Sequence, residues 1–165
     1  MIKIIFHIVF ISFFLWNPSV SELRELYVKA ADSKEISEQF SEKLKNIKKT
    51  DKAVLVAYKA AALTIKAKHT KKVANKKEYF KEGAALLEYI IAKNPKHIEL
   101  RVIRLSIQEN SPKVLKYRAN KSEDAAYIYK HLKRVSSQAK KTYIKAFVLQ
   151  SKSFSTEEKN VISEL

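Results

Sequence analysis

Three features of this chain point to an all-α protein of about six to eight helices. Apolar residues recur three and four positions apart along nearly its whole length, the period of a helix with one buried face. The 165 residues include one Gly and three Pro, too few for the many tight turns of a β-sandwich or barrel. No stretch alternates apolar and polar residues strongly enough to compete as a strand. The length fits one domain with a sizeable core.

The N-terminus is different in kind. Lys3 precedes a run from Ile4 to Trp16 that is apolar except for His7 and Ser12, and Asn17-Pro18 ends it. Ser19 and Ser21 then fill the small-residue positions of a cleavage site before Glu22. The pattern predicts a signal peptide over residues 1–21 and an exported helical domain over residues 22–165, periplasmic or extracellular. The run is about 13 residues, short of the roughly 20 that a spanning helix needs, and no transmembrane segment is expected after cleavage. Removing Lys3 lowers the formal net charge from +16 to +15.

The helices follow in order. Leu23, Leu26, Tyr27 and Ala30 mark the first, with Ser21 as its N-cap. Ile36, Phe40, Leu44 and Ile47 mark the second, after the Asp32-Ser33 break. Lys43, Lys45, Lys48 and Lys49 lie around its end, where a helix C-terminus favours cations. Asp51 caps a third helix that runs to about Lys68. From Ala53 to Ala67 it is apolar nearly all round, with Lys52, Lys59 and Lys66 on one narrow stripe, which predicts a central, buried helix. Asn75, with Glu78 three positions on, opens a fourth. Its apolar face is Tyr79, Phe80, Leu86, Leu87, Ile90 and Ile91.

Asn94 as N-cap and Pro95 at the first helical position begin a fifth helix. Ile98, Val102 and Leu105 fall on one side of it, and Leu100, Ile103 and Ile107 on the opposite side. It therefore packs on two faces. Arg101, Arg104 and Gln108 line one edge between those faces, and Glu99 and Ser106 the other. Ser111-Pro112 repeats the cap-plus-proline device for a short turn through Tyr117. Ala125, Ile128, Tyr129 and Leu132 form the next stripe, entered at Asn120 to Ser122. Ala139, Tyr143, Ala146 and Phe147 form another. Ser155 and Glu158 make a capping box for a last helix to Glu164. The short loops predict successive helices paired as antiparallel hairpins.

The segment Tyr89-Ile90-Ile91-Ala92-Lys93-Asn94-Pro95, a helix end feeding a new amphipathic helix, resembles the tetratricopeptide (TPR) pattern over about 35 residues. The Trp-Leu-Gly-Tyr signature of that repeat's first helix is absent, and Asp51 to Pro95 is longer than one repeat. The resemblance implies TPR-like antiparallel hairpins and not a TPR array. Glu22 to Tyr27, Glu99 to Asn110 and Pro112 to Tyr117 also resemble small exported helical proteins of Bacteroidota type, a likeness that brings no activity with it.

Little in the chain suggests catalysis. Without Cys there is no thiolate metal site, cysteine nucleophile or disulfide scaffold. The lone Gly83 leaves no phosphate loop and no nucleophile elbow. His69, His97 and His131 lack metal-ligand spacing and read as surface residues. Glu78 and Glu82, one helical turn apart among lysines, read as a solvated face. A non-enzymatic interaction or scaffold protein with no cofactor and no metal follows, its partner being another envelope protein.

Two polar groups are candidate binding residues. Arg101, Arg104 and Gln108 would edge a concave surface and bind a partner's carboxylate or phosphate. The alternative, favoured because a partly buried Arg needs a protein partner, is internal pairing with Glu99, Glu78 or Glu82. Tyr58, Tyr117 and Tyr127 either edge that groove or belong to the core. The second group is the basic cluster Lys66, Lys68, Lys71, Lys72, Lys76 and Lys77 between the third and fourth helices. It suits anionic envelope lipid or lipopolysaccharide. Specific nucleic-acid recognition is not expected, since no helix-turn-helix or aromatic RNA-binding motif is present. A solvated lysine surface with no partner accounts for the same residues through composition alone.

Overall fold

The computed structural model describes residues 18–165, so the apolar run of the expected signal peptide lies outside the described residues. Among the described residues there are eight α-helices and no strand. They are α1 (Val20–Ala30), α2 (Lys34–Leu44), α3 (Ala53–His69), α4 (Val73–Lys93), α5 (Ile98–Asn110), α6 (Lys121–His131), α7 (Gln138–Gln150) and α8 (Thr156–Ser163). Single tight helical turns at Lys113–Leu115 and Leu132–Arg134 follow α5 and α6.

Several helix starts differ from the sequence expectation. Ser19, not Ser21, caps α1: its backbone is extended and its hydroxyl accepts from the Glu22 amide at 3.2 Å. The expected cleavage point before Glu22 therefore falls in the first turn of α1. Asp51 does not cap α3. Lys52 is the N-cap, without a side-chain bond, and Asp51 accepts instead from the Lys48 amide at 2.7 Å. Helix α4 begins at Val73, so Asn75 already lies inside it. Asn94 ends α4, its amide donating to the Ile90 carbonyl at 3.0 Å, and His97 is the N-cap of α5. The α7 stripe is also rotated: Ile144 and Val148 are fully buried, whereas Ala139 and Ala146 are exposed. The larger apolar side chains take the core positions because they remove more area from water. The Ser155–Glu158 capping box is present on α8.

Helix α3 packs against α1, α2, α4 and α5, and among the described residues its interface with α4 is the most extensive. Ten of its residues are buried, five of them Ala. The small side chains let neighbours approach closely, and Gly83 of α4 marks the closest approach. A Cβ placed there would lie 2.6 Å from the Ala60 carbonyl oxygen and 2.8 Å from Thr64 Cγ2. The stripe lysine Lys59 is not simply solvated: its ammonium donates to the Lys45 and Ile47 carbonyls just beyond α2.

Two apolar clusters share α5. Leu100, Ile103 and Ile107 join α1 to α4 in the larger cluster. Val102 and Leu105, with Ile98 beside them, join α6, α7 and α8 in the smaller one. The two faces read from the helical wheel are those two clusters.

Candidate functional site

The edges of α5 carry a polar seam between the apolar clusters. On one edge Glu99 is 1% exposed. Arg24 of α1 grips it with two parallel bonds, Nε to Oε1 and Nη2 to Oε2, each 2.8 Å. The Tyr58 hydroxyl donates to Oε1 at 2.8 Å. The Arg24 bonds to Glu99 hold the Arg24 pKa above its ordinary value despite burial. Farther along, the Tyr27 hydroxyl donates to Ser106 Oγ at 3.0 Å. Burial pushes the Tyr27 hydroxyl up to about 12, and those of Tyr58 and Tyr143 higher still. These phenols stay neutral at ordinary pH.

Arg101, Arg104 and Gln108 occupy the other edge, and the structure seals them inside. Arg101 is 8% and Arg104 4% exposed, and Gln108 is fully buried. Asp124 of α6, itself 0% exposed, accepts from Arg104 Nε and Nη2 at 2.7 Å each and from Arg101 Nη1 at 2.9 Å. Arg104 Nη1 also reaches Glu88 of α4 at 2.8 Å, and Arg101 reaches Glu123 at 2.7 Å and the Pro95 carbonyl at 3.0 Å. Burial disfavours the Arg104 charge, but the bonds to Asp124 outweigh it and raise its pKa. The bond from Arg101 holds Glu123 below the usual carboxylate range.

Gln108 donates weakly to Asn120 at 3.4 Å, and its Oε1 has no protein partner. Tyr117 donates to Glu88 at 2.6 Å, and the Tyr127 ring lies under the Arg101 guanidinium at 4.3 Å. Arg101, Arg104 and Gln108 thus do not edge an open binding surface. Protein carboxylates already fill the place of the partner's anion.

The pairing is internal, but its partners are not Glu78, Glu82 or Glu99. They are Glu88, Glu123 and Asp124, and Glu99 is held by Arg24 instead. One signal for Asp124 was present: it sits one turn before Ile128 on the α6 apolar stripe, where an acid needs a buried partner. Tyr58, Tyr117 and Tyr127 are tied into these networks. The histidines have local roles too. His69 bonds the Ala30 carbonyl, and His131 stacks on Tyr127. Burial lowers the His97 pKa. Among the described residues, no three metal-ligating side chains gather.

The basic cluster is placed differently. Lys66, Lys68, Lys71, Lys72, Lys76 and Lys77 are all exposed at the α3–α4 end of the fold. Every residue from Lys71 to Glu78 is exposed, so the first turns of α4 project beyond the body. Val73 stands among these lysines at 79% exposure. Only light contacts restrain the cluster: Lys68 is 3.5 Å from Asp32, and Lys66 lies 4.3 Å above the Tyr79 ring. Pairs this exposed contribute little.

Comparison of the chain with protein families, curated proteins and solved structures finds no match. Among the described residues no helix is long and apolar enough to cross a membrane.

Proposed function

We propose that this is a non-enzymatic, exported helical binding protein of TPR-like build, and that it docks on anionic envelope lipid or lipopolysaccharide through the α3–α4 end. The observation that carries the reading is the contrast between the two candidate groups. The arginines are consumed by Asp124, Glu88 and Glu123, whereas six lysines project into solvent around an exposed Val73. A basic tip with one apolar residue suits a surface of phosphates over acyl chains. The packing of α1 to α4 in sequence order supports the hairpin reading.

Co-sedimentation with vesicles of phosphatidylglycerol in phosphatidylcholine tests it. Binding should exceed that to phosphatidylcholine alone and fade with salt, because exposed charges are screened over about 8 Å at physiological ionic strength. Lys71→Glu with Lys72→Glu should weaken it at least about tenfold, at roughly 1 kcal/mol per lysine near such a surface. Equal binding to neutral vesicles, or indifference to the double change, overturns the proposal.

A further inference from the structure

Beside the basic tip, α4 and the tight turn after α5 flank an open-sided cleft of about 300 Å³. This is the lower end of the size range of small-molecule sites. Lys77, Phe80, Lys81 and Ala84 line it from one face of α4, at helical spacing. Val114 and Leu115 line it from the turn, and Tyr117 closes it. The floor is aromatic and aliphatic. Phe80 and Tyr117 meet edge to face at 5.8 Å, and Tyr117 turns its hydroxyl away onto Glu88. Besides Tyr117, the polar lining residues are Lys77 and Lys81, one helical turn apart on α4, and none of the lining residues is acidic.

Val114 has no packing role that accounts for it. It is 83% exposed and flanked in sequence by Lys113 and Lys116. Lys116 holds the turn with a left-handed backbone, φ 50°, which a non-glycine residue adopts at a cost. An apolar slot with a cationic rim matches one class of small molecule on both counts. We infer that this cleft binds a free single-chain anionic amphiphile, its acyl chain along Phe80, Ala84, Val114 and Leu115 and its carboxylate or phosphate head between Lys77 and Lys81. The site shares the basic start of α4 with the proposed docking surface, but it recognises one molecule and needs no bilayer.

The test is methyl NMR of the protein titrated with dodecanoate below its micellar concentration. Shifts should concentrate on Ala84, Val114 and Leu115. Affinity should fall about tenfold for octanoate, for dodecyltrimethylammonium, and for Lys77→Glu with Lys81→Glu. Val114→Asp changes an exposed residue, so the fold is retained, and it should also cost about tenfold. The inference is overturned by shifts spread over the surface, by equal affinity for the cationic amphiphile, or by shifts at these methyls that occur only with vesicles. Vesicle binding reports separately on the docking reading: it should survive Val114→Asp and weaken at least about tenfold in the Lys71, Lys72 variant. Each proposal can therefore fail alone.

Discussion

Asp124 has the most exacting position in the protein. It is fully buried, accepts three bonds from two guanidinium groups, and leaves each with a single carboxylate, Glu88 for Arg104 and Glu123 for Arg101, if it loses its charge. Asp124→Asn should destabilise the fold by about 3–5 kcal/mol, the range for breaking a buried pair from one side. Urea unfolding measures it. Asp124→Leu combined with Arg104→Met should cost less than Asp124→Asn, because it removes the guanidinium that Asp124 holds by two bonds and leaves Arg101 its bond to Glu123. A double variant as unstable as the single one would show that shape, not charge, sets the requirement. The tyrosines give a second test. A group whose folded pKa is raised contributes stability that is complete below its unfolded pKa and disappears as pH rises through the folded one. For Tyr27 that window runs from about 10 to about 12. Unfolding free energy should be flat to about pH 10 and then fall, with Tyr27 alone worth roughly 2–3 kcal/mol. Tyr58, Tyr117 and Tyr143 are shifted the same way and steepen the decline. That Arg101 and Arg104 would be paired was legible, since charge on a two-faced helix must be answered. Asp124 was marked by its place on the α6 apolar stripe as an acid in need of a partner, but which arginines answer it, and that Glu88 joins them, was not legible, because the partners arrive from different helices.

Helix boundaries were legible at some hydroxyl caps and not at others: α1 starts at Ser19, two residues before the Ser21 that the pattern favoured. Ser155 with Glu158 follows the expected pattern, and Ser155→Ala should cost about 1 kcal/mol, read as a loss in thermal midpoint. Starts without a side-chain cap, at Lys52, Lys72 and His97, carried no such signal, and nearby Asp51, Asn75 and Asn94 offered false ones. Gly83 shows a different kind of gap. From sequence its only clear consequence is that it excludes glycine-rich loops. Its structural role lies in the α3–α4 contact, where the Ala60 carbonyl occupies the space of a Cβ. Gly83→Ala raises helix propensity by about 1 kcal/mol. Backbone must nevertheless shift to admit the methyl group, and overpacking costs about 1–3 kcal/mol. The variant should therefore be less stable than the parent. A gain in stability would mean that α4 can slide away from α3 freely.

Charge is unevenly spent across the fold. The chain carries +16, and several of its acids, Glu99 and Asp124 completely, are turned inward onto arginines. The lysines are left to repel one another at the surface. Raising salt from low to physiological strength should screen that repulsion and raise the melting temperature by a few degrees. A fall instead would assign the dominant electrostatics to attractive surface pairs. The central position of α3 and the two-sided packing of α5 were visible in the apolar pattern alone, because both are properties of a single helix. The long-range connections that seal the α5 edges were not.

Helix α5 is a party wall: one cluster leans on Leu100 and Ile103, the other on Val102 and Leu105, and ion pairs mortar both edges. Neither half can open while the other stays shut without exposing a side of that wall and stranding its charges. The amide hydrogens of α5 should accordingly exchange with solvent only when the entire chain unfolds, so their protection free energy should equal the global stability. Amides at the projecting start of α4 should exchange far sooner.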